Sequence, residues 1–551
     1  MNTFRKIFSA FTRKERVIFF FALATSMASG LALTGLAFAN LTHAIPAAGG
    51  EYTEGFIGQP VYINPVTAGS DVDKSIVRLV FSNLSSVADK IDVSDDGRIW
   101  RIRLKENLRW QDGEKLTSDD VIFTVQKIQD PESSSPLFKS WQGVAVRRMS
   151  EIEMQIRLVN PYAFLGDTIR NLYILPKHLF ADIPAANWRL SKYNLAPMGN
   201  GPYKIAARET KPNGFIDSYK LEAWDGYFGD KPNIRSINFR FFSQTQNLIK
   251  EFNSGQVDGV AGLNPQNMAE INRPHETISY YLPNYYAAFL NQSKSLSLQD
   301  KAVRQALELA TDKNDILEKS LGERGRIIYG PIAEEILGRD YPTMDDNNGL
   351  ELASNTLSEA GWKLTEEGAR EKSVKNAKIS LNIDLTVPQV DFLIKTAEAL
   401  KERWGKIGFR INLVERPVEE ITQNLIKNRD YQMLLFGNAP GSASDLFPFW
   451  HSSERFYPGL NLSLYNNKKA DSLLESIRQD MNEESRTSKL RELEGLIQND
   501  IPAIFLYSPE YTLVIGNGLK GADGGLMSES SDRFSYATKW YLKTTRVLRE
   551  D

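Results

Sequence analysis

Four histidines, no cysteine and one serine-rich turn bound the chemistry open to this 551-residue chain. Without cysteine there is no thiolate nucleophile, redox pair, zinc knuckle, disulfide or lipid-modified N-terminal cysteine. The histidines, His43, His178, His275 and His451, are scattered and lack the i,i+4 or carboxylate spacing of a metal-binding helix, so no metal or cofactor is expected. Gly199-Asn200-Gly201-Pro202-Tyr203 has the glycines of a phosphate loop but neither the Lys-Ser/Thr pair nor a following helix, and it reads as a turn entering a strand. Gly441-Ser442-Ala443-Ser444-Asp445 falls short of a nucleophile elbow because Asp445 stands where the last glycine belongs. With 66 basic against 69 acidic side chains, no broad cationic field exists for nucleic acid. No catalytic constellation emerges, so no enzyme is expected; a membrane-anchored hydrolase is the alternative.

The same serine-rich turn is the best candidate site. It follows a strand over Tyr431 to Phe436, and ligands of α/β sheets gather beyond the carboxyl ends of strands. The elements around it alternate in type. Trp100, Ile102 and Leu104, then Ile152, Met154, Ile156 and Leu158, repeat with the period of half-buried strands. Thr117 and Asp120 form a capping box for a helix to Ile128, and Gly255 stops another helix that begins near Gln244. Ile379, Leu381, Ile383 and Leu385 predict a strand, Leu393 to Ile407 a helix and Phe409 to Leu413 a second strand, a right-handed crossover onto a parallel or mixed sheet. Such a length suits two or three domains and so has room for two lobes. Crossings between them are expected within Tyr280–Asn291, at its Pro-Asn turn, and near Tyr511–Gly516.

At the N-terminus Arg5, Lys6, Arg13, Lys14 and Arg16 precede an uncharged apolar run from Val17 to Ala39. At about 1.5 Å per helical residue that run can cross a bilayer. The next basic residue is Lys74, so the positive-inside bias keeps residues 1–16 in the cytoplasm and places the remainder outside. Ala37-Phe38-Ala39 also fits a signal peptidase site, so both a retained membrane anchor and a cleaved signal peptide, giving a periplasmic or secreted protein, remain open. Residues 40–50 read as a polar tether.

Several strings, in order, resemble the family 5 bacterial extracellular solute-binding proteins. They are GGEYTEGFIGQPVYINPV (49–66), RLVFSNL (78–84), DDGRIWRIRLKENLRWQDGEKLTSDDVIFTVQKI (95–128), ILPKHL (174–179), MGNGPYKI (198–205), GQVDGV (255–260), VRQALELATDKNDIL (303–317), EAGW (359–362) and GLNLSLYNNKKADSLLESIR (459–478). Asn200 departs from the family's usual threonine, and the segment Leu84–Ala88 is short. The resemblance implies a two-lobed α/β fold of the class II periplasmic-binding-protein type, with an extra subdomain in the first lobe, after one N-terminal transmembrane helix. Lobe 1 would span 51–284 with a subdomain at about 71–195, lobe 2 285–513, and 514–551 would return to lobe 1. It also implies a monomer that captures short peptides by hinge closure and delivers them to the permease subunits of an ABC transporter; a nickel chelate, heme or another small solute is the alternative ligand. On this resemblance Asp445 would hold a peptide's α-ammonium, the backbone of Gly441, Ser442 and Ala443 would pair with the peptide main chain, and Ser70 and Asp71 would face it from lobe 1. Asp445 also suits an N-cap for a helix over 446–451, Ser70 and Asp71 equally suit an ordinary polar loop, and His451 is read as structural, with a contact to a chelated metal as the lesser alternative.

Overall fold

Period-two apolar runs pair here into one long mixed sheet. The computed structural model describes residues 11–338, 348–374, 377–440, 445–516 and 518–549. Its main strands are β1 (Thr42–Ala47), β2 (Glu51–Ile57), β3 (Tyr203–Thr210), β4 (Ile216–Ala223), β5 (Ser236–Phe242), β6 (Gly259–Ala261), β7 (His275–Tyr281), β8 (Tyr285–Leu290), β9 (Asn382–Pro388), β10 (Arg410–Arg416), β11 (Met433–Asn438), β12 (Ala503–Gly516) and β13 (Lys543–Leu548). Its helices include α1 (Arg13–Leu41), α2 (Asp71–Val80), α3 (Asp391–Gly405), α4 (Lys468–Gln479) and α5 (Glu483–Asp500).

Across the sheet the order is β10-β9-β11-β8-β12-β6-β2-β5-β4-β3, with β7 also on β12. Residues Ala503 to Tyr507 of β12 pair with β8, whereas Glu510 to Gly516 pair with β7. The chain therefore passes between two halves at Leu282–Asn284 and again within β12 around Ser508–Glu510. Tyr511 to Gly516 already lie alongside β7, so the return occurs a little before the expected Tyr511–Gly516. Asn284 keeps a buried side-chain oxygen without a hydrogen-bond partner.

Each half has its own interior. One cluster runs from Tyr52 through Trp100, Ile156 and Phe239 to Trp540, and a smaller one, around Leu248, Phe252 and Val514, also belongs to the first half. In the second half Leu307, Leu400, Trp404 and Tyr507 share one cluster, and Phe289, Trp450, Leu493 and Phe505 share another. Phe164, from the first half, joins that last cluster.

Local signals account for most elements. The helix Ser118–Ile128 has its Thr117/Asp120 capping box, and the antiparallel sheet beside it contains Ile99–Leu104 and Glu153–Arg157. β9 and β10 run parallel from Asn382↔Arg410 to Pro388↔Arg416, with Leu393, Ala397, Leu400 and Trp404 of α3 buried on them. Gly408 follows α3 at φ +92°, a conformation that glycine adopts without strain. Ile379 departs from expectation: Ala377–Ser380 forms a hairpin with Arg370–Val374, and the strand is interrupted at Leu381. The side-chain alternation runs through that break, so periodicity cannot reveal it.

Gly199 to Tyr203 enters β3 as a turn. A Cβ on Gly199 would lie 1.9 Å from the Val80 carbonyl oxygen, and buried Asn200 accepts the Ser82 N–H at 2.9 Å. The glycines here serve close packing on the end of α2. At the N-terminus α1 opens with a Thr12/Glu15 capping box and buries no residue. It continues to Leu41, and part of the stretch expected as a tether forms β1, paired with β13 from Thr42↔Leu548 to Ala47↔Lys543.

Candidate ligand-binding site

The predicted site residues fall into two groups on opposite halves. Gly441, Ser442 and Ala443 lie outside the described residues. Asp445 lies within them, just past β11, and its side chain is 10% exposed. Its carboxylate accepts from Arg478 twice, Nε to Oδ1 and Nη2 to Oδ2, both at 2.9 Å. Tyr162 Oη donates to Oδ2 at 2.8 Å, and the Phe447 N–H donates to Oδ1 at 3.3 Å. A carboxylate offers about four lone-pair positions. All four are engaged.

Three of these donors come from the second half and one from the first. Arg478 sits in the last turn of α4, where its guanidinium also lies 4.0 Å from the centroid of the Phe447 ring. Tyr162 belongs to the first half, next to Ala163, whose N–H donates to the Arg478 carbonyl at 2.7 Å. Arg486 of α5 stands over the Phe164 ring at 5.9 Å. The two halves thus meet at one edge through a phenol, a backbone hydrogen bond and an aromatic plug. Burial, then the negative charge of Asp445, push the Tyr162 phenol well above its ordinary value, so it remains a donor. Asp445 does take the Phe447 N–H, as a cap would, but the cap position of Phe447–Trp450 belongs to Leu446.

On the first half, Ser70 is the N-cap of α2. Its hydroxyl accepts the Asp73 N–H at 3.0 Å and donates to the Asp73 carboxylate at 2.8 Å. That carboxylate also accepts the Val61 and Tyr62 N–H groups, which locks the turn. Ser70 and Asp71 are exposed at its tip. The charge of Asp71 reaches Tyr511 of β12, whose phenol burial raises above its ordinary value, with Asp71 adding to that rise.

A salt-bridged floor supports this half. Arg533 pairs with Glu54 of β2 at 2.7 Å, both side chains essentially buried, and Tyr52 donates to the same carboxylate at 3.0 Å. Arg78 of α2 is held by Glu529 and Asp532, and Lys74 reaches Glu529 at 2.6 Å. Burial alone would raise the Glu529 carboxyl, but Arg78 and Lys74 outweigh it and hold the group below its ordinary value.

The histidines are accounted for individually. His178 meets Asp112 at 2.8 Å, His275 bonds the Arg273 carbonyl at 2.8 Å, and His43 is exposed on β1. His451 stacks on Phe447 at 4.0 Å and bonds Ser453 at 2.8 Å. Among the described residues no group of three ligating side chains is placed to hold a metal ion. The partners of Asp445 that sequence reasoning missed are Tyr162 and Arg478. Arg478 closes one of the family-like strings, but nothing in its spacing marks it as the partner of Asp445.

Comparison with known proteins agrees with this architecture. The family model described as "Bacterial extracellular solute-binding proteins, family 5 Middle" matches residues 85–456. The oligopeptide-binding protein AppA of Bacillus subtilis strain 168 is 26% identical over 505 residues, covering 86% of this chain and 89% of AppA. The solved structure of AppA with a nonapeptide superposes with a TM-score of 0.67 at 23% identity, covering 91% of this chain and 100% of AppA. NikZ from Campylobacter jejuni, solved with Ni(L-His), gives a TM-score of 0.69 at 22% identity over 89% of this chain and 99% of NikZ. With two separate interiors, paired crossings and a family match across most of its length, the chain belongs to the bacterial extracellular solute-binding proteins, family 5.

Proposed function

We propose that this protein is the substrate-binding component of an ABC transporter, that it encloses short peptides between its halves by closure about Leu282–Asn284 and Ser508–Glu510, and that it binds without turnover. The observation that carries this reading is the edge where the halves meet on Asp445. There Tyr162 donates to a carboxylate that Arg478 holds in place, in a region where a charge-assisted hydrogen bond to a ligand ammonium is strong. The similarity to AppA, an oligopeptide-binding protein, supports peptides as the ligand class.

Because the four acceptor positions are taken, an incoming ammonium must displace a donor. Tyr162 is the one that departs when the halves separate, so the peptide N-terminus takes the place of its hydroxyl on Oδ2. Gly441, Ser442 and Ala443 would supply main-chain pairing, and Ser70 and Asp71 would close the groove from the other side. Helix α1 is retained as the anchor, with residues 1–16 cytoplasmic and the lobes outside; its wholly exposed apolar surface supports this. The protein acts as a monomer.

The test is calorimetric titration with free and N-acetylated peptides, beside mass spectrometry of ligands retained through gentle purification. Free peptides should bind more tightly, and Asp445→Asn should remove the difference. Equal binding of both forms to the unaltered protein would refute the ammonium role. Recovery of a nickel chelate or heme, with no peptide affinity, would refute the peptide reading.

A further inference from the structure

We infer that the β1–β13 ribbon is a stiff stalk that fixes the first lobe to the membrane helix and leaves the second lobe as the moving half; this rests on the retained anchor proposed above. Both strands are rooted in the first lobe. β1 leads through Gly49 and Gly50 into β2, and the Gly49 N–H donates to the Asn233 carbonyl at 2.7 Å. β13 leaves Trp540, which is 1% exposed in the large first-lobe core, and Tyr541 exchanges two backbone hydrogen bonds of 2.9 Å with Lys520.

The far end of the ribbon grips the helix. The last four carbonyls of any helix lack partners within it. Here Arg546 of β13 donates to the Ala39 carbonyl at 3.3 Å and the Thr42 carbonyl at 3.2 Å, and to Thr42 Oγ1 at 2.8 Å. The Arg549 N–H donates to the Leu41 carbonyl at 2.8 Å, and the Arg546 guanidinium lies 5.4 Å from the Phe38 ring centroid. The helix end is thus bound by a strand from the other end of the chain. An isolated two-stranded ribbon is marginal in water. This one is held at both ends. At about 3.3 Å per residue it extends roughly 20 Å, which sets the standoff of the first lobe.

The experiment uses the full chain in phosphatidylglycerol–phosphatidylcholine nanodiscs, beside a variant lacking 543–551 and the Arg546→Ala variant. Intact mass reports whether α1 is present, hydrogen exchange reports the amides of 43–47 apart from Pro46, which has none, and spin labels report distances from the bilayer to each lobe. Expected are an uncut chain, slow exchange at 43–47, and a first-lobe distance distribution narrower than that of the second lobe. Truncation should abolish the protection and broaden the first-lobe distances, and Arg546→Ala should do so in part. A mass beginning at Asn40 would overturn the anchor. An intact helix with 43–47 exchanging as free chain, or with equally broad distances for both lobes, would overturn the stalk alone.

Discussion

Tyr162→Phe isolates one atom at the edge where the lobes meet. The ring stays, with its neighbours Phe164 and Arg478, and only the hydroxyl donating to Asp445 at 2.8 Å is lost. A hydrogen bond to a charged group contributes about 1.5–3 kcal/mol net. If the ligand ammonium replaces this hydroxyl, the wild-type protein must give up that bond each time a free peptide binds, and the variant need not. Free-amine peptides should then bind the variant about ten- to a hundred-fold more tightly. N-acetylated peptides, which leave the tyrosine bond in place, should not gain. The unliganded variant should also open more readily, seen as a broader distribution of distances between labels on the two lobes. Calorimetric titration of both peptide forms against both proteins gives the four affinities needed. If Tyr162→Phe changes both forms alike, or weakens the free peptide alone, the phenol is not the group displaced and the proposed ligand position on Asp445 is wrong.

Three further outcomes concern stability. Removing one partner of the buried Arg533–Glu54 pair should cost about 3–5 kcal/mol in denaturant titration, and the double change Glu54→Leu/Arg533→Met should cost less than either single change, because no lone charge is left inside. Asp480 is partly desolvated, which alone would raise its carboxyl, but Lys489, Ser485 and the Asn482 N–H lower it to about 2. Its stabilisation is complete above the ordinary value of 3.8 and is lost as pH falls towards 2, so the melting temperatures of wild type and Asp480→Asn should differ at neutral pH and converge across that window. Gly199→Ala should lower the melting temperature sharply and disturb the end of α2, since the new methyl collides with the Val80 carbonyl; an unchanged melting temperature would refute the packing role given to that turn.

The elements were legible wherever one local force dominates. Alternation at Ile99–Leu104, the capping box at Thr117 and the stop at Gly408 each act over a few residues, and each appears as expected. The interruption at Leu381 was not legible, because the side chains keep alternating while the backbone changes partners. Asp445 could be singled out by its place after a strand, but its surroundings could not. Tyr162 lies 283 positions away and Arg478 lies 33 away on another helix, so their meeting is a property of the packed lobes and leaves no spacing to detect. The pairing of β1 with β13 joins segments some 500 positions apart, and a polar stretch after an apolar helix gives no hint of it.

Strand β12 enters both lobes as one unbroken backbone, hydrogen-bonded along each end. Neither end can slide without breaking its ladder and turning every side chain to the wrong face. The lobes therefore cannot approach by translation or change their lateral register. What remains is torsion where the second-half ladder, carried as far as Pro509 by Gly325–Ile327, gives way to the first-half ladder at Glu510, next to the crossing that contains Asn284.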